Sequence, residues 1–201
     1  LAKTGDERAR DVALGKAELT GVSAFPDLGE ARVEAEPHPL PDDLDDPAIT
    51  IEPVPLRRPA EPFERLREAS DAYLEAHKQR PGVALVTLGR TTDTAARASY
   101  AESFFAAGGI GTVTIDDPQS CDTSVSPIAC ICASDETYSQ EGAASAKALK
   151  SRGAQRIYLV GRPGDMRKKL KQAGVDGFIH QGCDIIETLE DAHDVLGLKQ
   201  R

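Results

Sequence analysis

Tryptophan is missing from this chain, aromatic residues make up 4% of it, and its single methionine is Met166. A core must therefore be built from Ala, Val, Leu and Ile. No apolar run approaches the length of a membrane span, and no apolar stretch follows residues 1–5 as a signal peptide requires. A chain of 201 residues that opens on Leu1 with no starting methionine reads as a fragment of a larger protein. An excess of basic charge is absent too. The net charge of −9 disfavours nucleic acid or an anionic membrane surface as a partner. The acidity is uneven: residues 1–80 carry 18 acids and 11 bases, residues 81–201 carry 15 and 13.

Cysteine and histidine are sparse. Cys121, Cys130, Cys132 and Cys183 show no Cys-x-x-Cys pair, so zinc spacing is lacking. Cys130-x-Cys132 lies in an apolar run, where alternation along a strand is expected to turn the two thiols to opposite faces, away from any shared metal. Buried thiols in a reducing cytosol are the expectation. His38 and His77 lie in the leader, His180 ends a strand, and His193 is expected on the polar side of the last helix. These spacings support neither a Ser-His-Asp nor a Cys-His constellation.

Three zones follow one another. Residues 6–18 read as a short helix weakened by Gly15, and residues 21–25 as a strand-like run ended by Pro26. Residues 26–62 hold nine of the 13 prolines and the acidic run Asp42-Asp43-Leu44-Asp45-Asp46. Fixed φ and lost donors make this an extended linker. It is either disordered or wrapped on a partner through Ile49, Ile51, Val54 and Leu56. From residue 63 an amphipathic helix (Phe63, Leu66, Ala69, Tyr73, Leu74) precedes regular alternation. Strands are expected over 83–88, 111–115, 128–133, 156–160 and 177–180. Helices are expected over 93–107 (with Ala96, Tyr100, Phe104 and Ala107 on one side), 135–151, 164–173 and 184–196.

Strand–helix alternation with short turns implies a parallel, doubly wound α/β sheet with right-handed crossovers, its strands apolar because both faces are covered. Five strands suggest the flavodoxin-like order 2-1-3-4-5, with any ligand crevice at the carboxyl ends of the strands. Residues 116–126 are too short and polar for an ordinary crossover. Either the second helix has shrunk to a turn or residues are missing there.

The loops at that edge carry little chemistry. Gly89 is isolated, so neither a dinucleotide fingerprint nor a Walker loop is present. Asp93 is expected to cap the following helix or sit in its first turn, because no second carboxylate or histidine stands beside it. Residues 134–137 lie where a response regulator's phosphoacceptor would be, but the acidic pair needed for magnesium is absent. Arg162 offers a cation to an anion or simply decorates a turn. A stand-alone flavodoxin-like module for a nucleotide or acyl-CoA, using Arg90 and Arg162, is the alternative reading.

Residues 63–198 resemble the carboxyl-terminal, cobalamin-binding-like domain of the small subunit of bacterial methylmalonyl-CoA mutase. The likeness rests on Phe63-Glu64-Arg65-Leu66-Arg67-Glu68-Ala69-Ser70-Asp71, Ile128-Ala129-Cys130-Ile131-Cys132-Ala133-Ser134-Asp135 and Ala173-Gly174-Val175-Asp176-Gly177-Phe178-Ile179. Thr20-Gly21-Val22-Ser23-Ala24-Phe25-Pro26 resembles the end of that family's barrel domain. The resemblance implies three parts: residues 1–25 closing a barrel domain, a linker over 26–62, and an α/β domain over 63–201. It implies a cytoplasmic heterodimer in which a large catalytic subunit binds adenosylcobalamin and interconverts methylmalonyl-CoA and succinyl-CoA. In cobalt-binding relatives the loop after the first strand reads Asp-x-His-x-x-Gly. The matching positions here are Thr91, Asp93 and Ala96, and the later Gly-Gly along the nucleotide tail becomes Gly161-Arg162. The resemblance therefore implies a degenerate site, with no catalytic, cofactor or metal residue on this chain. A carboxylate suits harder cations than cobalt in a corrin, and the residue that would orient the histidine is gone.

Overall fold

A computed structural model describes residues 2–30 and 58–198. His38 and the expected linker anchors Ile49, Ile51, Val54 and Leu56 fall outside those residues. The elements are α1 (Ala2–Ala13), α2 (Glu61–His77), β1 (Gly82–Leu88), α3 (Thr91–Ala107), β2 (Gly111–Ile115), β3 (Ile128–Ala133), α4 (Asp135–Thr137), α5 (Ala143–Ser151), β4 (Arg156–Val160), α6 (Arg167–Gln172), β5 (Gly177–Ile179) and α7 (Ile185–Leu196). A π-type turn, Tyr138–Gly142, joins α4 to α5, and 3-10 turns occupy Pro118–Ser120 and Gly164–Met166.

The five strands pair in parallel, in the order β2-β1-β3-β4-β5. Side chains alternate between two cores, as the strand period of two requires. Val83, Leu85, Tyr158 and Val160 meet Phe63 of α2, Phe104 and Phe105 of α3, and Leu189 of α7. Ala84, Val86, Ile131, Ile157 and Leu159 meet Leu149 of α5 and Leu170 of α6. Cys130 and Cys132 are both fully buried in the first of these cores. This corrects the expectation of opposite faces: residues two apart on a strand share a face. Burial pushes the Cys130 thiol well above its usual range, which disfavours the thiolate a metal needs. No cluster of three His, Cys, Asp or Glu suited to a metal occurs among the described residues.

The connection from β2 to β3 is the departure from regularity. It holds only the 3-10 turn, which Asp117 caps by accepting from the Gln119 amide at 2.8 Å. Its far end is tied down rather than helical. Thr123 Oγ1 donates to Arg152 O at 2.7 Å, and Ser126 Oγ donates to Gly82 O at 2.9 Å. The second crossover helix has thus shrunk to a turn. Without a helix above it, Val113 of edge strand β2 is 64% exposed, although its register partner Ala84 is buried. The expectation of strands covered on both faces therefore holds for β1, β3 and β4 and fails for β2.

At the amino end, α1 stops earlier than expected because Gly15 adopts φ +65°. Residues 21–25 form a turn rather than a strand. Leu19 O accepts from the amides of Val22, Ser23 and Ala24 at 3.0, 2.9 and 3.1 Å. Phe25, at φ +54°, ends the turn 86% exposed. Arg67 of α2 ties this turn to the domain, donating to Val22 O at 3.0 Å and Ala107 O at 3.2 Å.

Two side chains sit elsewhere than their patterns suggest. Ala96, expected on the packed side of α3, is exposed, while Ala101, Phe104 and Phe105 are buried. His193 is buried rather than on a polar side, its Nε2 2.8 Å from Gly108 O.

Candidate functional site

Four of the loops at the carboxyl ends of the strands, after β1, β3, β4 and β5, form the rim of the candidate site. After β1, Gly89 turns the chain at φ +92°, and Arg90 enters α3 in an extended conformation. Thr91 begins the helix, and Asp93 lies in its first turn, where a carboxylate suits the positive end of the helix dipole. Asp93 Oδ1 accepts from Thr92 Oγ1 at 3.1 Å. Thr91, Asp93 and Ala96 are all exposed, so the three positions stand together at the amino end of α3 and face outward.

After β3, Ser134 caps α4, its Oγ accepting from the Thr137 amide at 3.1 Å. After β4, Gly161 at φ +123° donates its amide to Ile179 O at 2.8 Å, and Arg162 donates to Gln181 O at 2.9 Å. Arg162 is therefore turned toward the next loop. After β5, His180 Nδ1 lies 3.0 Å from Gln181 O, and the His180 amide lies 3.5 Å from Cys183 Sγ. Among the described residues His180 is the imidazole at this rim. Both β3 and β4 separate its strand from β1.

The residue that dominates the rim is one that motif reading missed. Arg97 of α3 donates through Nη1 to Ala133 O at the end of β3, and through Nη2 to Asp135 Oδ1 at 2.5 Å. Its guanidinium carbon lies 5.1 Å from the centre of the Tyr138 ring, a cation–π distance. Burial works against its charge, but the Asp135 carboxylate and the Tyr138 phenol outweigh that and raise its pKa. Arg97 follows Asp93 by one helical turn, a spacing that does not point to its actual partners in and after β3. Its long side chain leans back toward the helix start and so reaches the rim.

Tyr138 is fixed beneath it. Its hydroxyl accepts from the Ala133 amide at 3.0 Å and faces the carbonyls of Ile131 and Val160 at 3.0 and 2.8 Å. Burial pushes this phenol well above its usual range. The loop after β1 offers no imidazole. The position after β1 offers an exposed carboxylate, and a guanidinium covers the end of β3.

A separate cavity of about 240 Å³ lies on the α3–α7 side, lined by Gly15, Phe25, Tyr100, Phe104, Gln181 and Ile185 among others. Burial and then the Cys183 thiol push the Tyr100 phenol up to about 12.

No family model matches the chain. Comparison with curated proteins gives consistent relatives. The chain is 37% identical to the methylmalonyl-CoA mutase small subunit of Streptomyces virginiae over 98% of its own length and 31% of that protein's. It is 30% identical to the small subunit of Propionibacterium freudenreichii subsp. shermanii, covering 96% of this chain and 30% of the relative. It is 33% identical to a probable small subunit of Mycobacterium tuberculosis, covering 98% and 31%. The chain thus spans less than a third of the length of these relatives. Within the described residues, no helix is long and apolar enough to cross a membrane.

Proposed function

Because this chain belongs to the methylmalonyl-CoA mutase small-subunit family, we propose that it is a non-catalytic, structural part of a heterodimeric, adenosylcobalamin-dependent mutase. The partner is a large subunit that carries cofactor and substrate and interconverts methylmalonyl-CoA and succinyl-CoA. This chain serves the assembly by shape and contact. Fold alone does not carry that conclusion, because one architecture hosts many activities.

The observation that carries the reading is the loop after β1. The fold keeps its five-stranded order, yet the positions available for an axial ligand and its orienting partner hold Asp93 and Thr91, both exposed. Neither residue contributes an imidazole. Arg162 is bound to Gln181 O, which weakens the reading as an independent anion-binding module.

The test uses the full-length protein paired with the large subunit. Thr91→Ala/Asp93→Ala in this chain leaves mutase activity and copurification of the two subunits unchanged. A large fall in kcat with the heterodimer intact would place this loop in the chemistry and overturn the reading.

A further inference from the structure

In open parallel sheets, ligands bind beyond the carboxyl ends of the strands, at the point where strand order reverses. In this sheet that point lies between β1 and β3. The Arg97 guanidinium sits beside it. It is held by the Ala133 carbonyl at the end of β3, the Asp135 carboxylate at the start of α4, and the face of the Tyr138 ring. The fourth wall is Gly161 at the end of β4, where a Cβ would stand 3.6 Å from the Arg97 Cζ. Two loops of the rim, after β3 and after β4, thus converge on one planar cation carried by α3, and the forked contacts suit guanidinium in particular. A forked donor spans a carbonyl and a carboxylate at once, while its flat face lies on an aromatic ring.

Arg97 belongs to α3, and its partners belong to β3, α4 and the adjoining π-type turn. Tyr138 is anchored independently by its hydroxyl, so the ring is a ready-made platform whether or not a cation lies on it.

We propose that Arg97 is the resident occupant of the fold's ligand crevice, a tethered planar cation that closes it to other molecules. The space left by its truncation is then a site for a free guanidinium or amidinium. This inference stands on the crevice geometry and does not depend on the identity of any partner subunit. Its failure is therefore distinct from failure of the subunit reading.

The experiment compares thermal unfolding of the full-length protein, Arg97→Ala and Arg97→Met, with methylguanidinium or methylammonium added at about 10 mM. A ligand that binds only the folded state raises the midpoint by mass action. Arg97→Ala is expected to melt several degrees lower than the parent. Methylguanidinium raises its midpoint by about 2 °C or more, on the scale expected for domains of this size. The parent and Arg97→Met, whose crevice is filled, do not move, and methylammonium, which lacks the fork, moves none of them. If Arg97→Ala does not fold by itself, refolding in methylguanidinium recovers folded protein and refolding in methylammonium does not. Equal response of all three proteins to methylguanidinium overturns the proposal. So does absence of any response or recovery in Arg97→Ala.

Discussion

His193 Nε2 lies 2.8 Å from the carbonyl oxygen of Gly108, joining the buried face of α7 to the end of α3. The carbonyl accepts, so Nε2 carries the proton and Nδ1 is the buried, unpartnered atom. A second proton would place an N–H at Nδ1 with no acceptor. Burial accordingly lowers the pKa of His193, against the opposing effects of the Gly108 bond and the Asp194 charge.

The sign of the pH dependence follows. In the unfolded chain this imidazole takes up a proton below about pH 6.5. In the folded chain it resists until lower pH. The stability it contributes is present above the unfolded value and is lost as pH falls from there toward the folded one. Urea midpoints near pH 7.5 and near pH 5.5 should therefore separate by more in the parent than in His193→Gln, whose amide donates to the same carbonyl without titrating. Parallel midpoints in the two proteins would mean His193 is not buried in its neutral form.

Tyr138→Phe tests the polar anchor beneath the rim. The phenol hydroxyl is the shared partner of the Ala133 amide and of two strand-end carbonyls. Its loss leaves buried groups unpaired and is expected to cost about 1–3 kcal/mol. Chemical denaturation measures this directly. An unchanged midpoint would mean that water replaces the hydroxyl.

Gly109→Ala tests the α2–α3 contact. Gly109 has φ +80°, and a Cβ there would come within 2.8 Å of Ser70 Cβ and 3.2 Å of Arg67 Cα. Ser70 Oγ already donates to Gly109 O at 2.5 Å, so α2 has no room to withdraw without breaking that bond. Overpacking of this kind costs about 1–3 kcal/mol, with left-handed strain adding about 1–2 kcal/mol. A loss below about 0.5 kcal/mol, the range of neutral surface changes, would contradict the close approach.

Much of the fold was legible because strand and helix alternation leaves strong marks. The bounds of β2, β3 and β4 match the segments expected as strands at 111–115, 128–133 and 156–160. Ser134 and Asp184 are short polar residues that cap their helices by accepting from the amide three residues on. What remained illegible depends on distance in space. Ala96 lies on the same helix as Phe104, yet tertiary packing covers only the latter. His193 looks polar by type, and only the facing Gly108 carbonyl makes its burial tolerable. Residues 21–25 look strand-like by composition, but a strand needs a neighbour to pair with, and Ser23 Oγ accepts the Leu19 amide at 3.0 Å to close a turn instead. At the rim, Thr91, Asp93 and Ala96 were found because they fill a known motif's positions. Arg97 was not, since its partners Ala133, Asp135 and Tyr138 lie 36 to 41 residues away in sequence.

Absorption spectroscopy of cobalamin titrated into the full-length protein without its large partner bears most directly on whether this chain works by contact alone. Neither the exposed Asp93 carboxylate nor the Arg97 guanidinium is a donor suited to cobalt in a corrin. The spectrum is expected to remain that of free cobalamin at every protein concentration. A saturable shift, with cobalt coordinated by any side chain of this polypeptide, would contradict it.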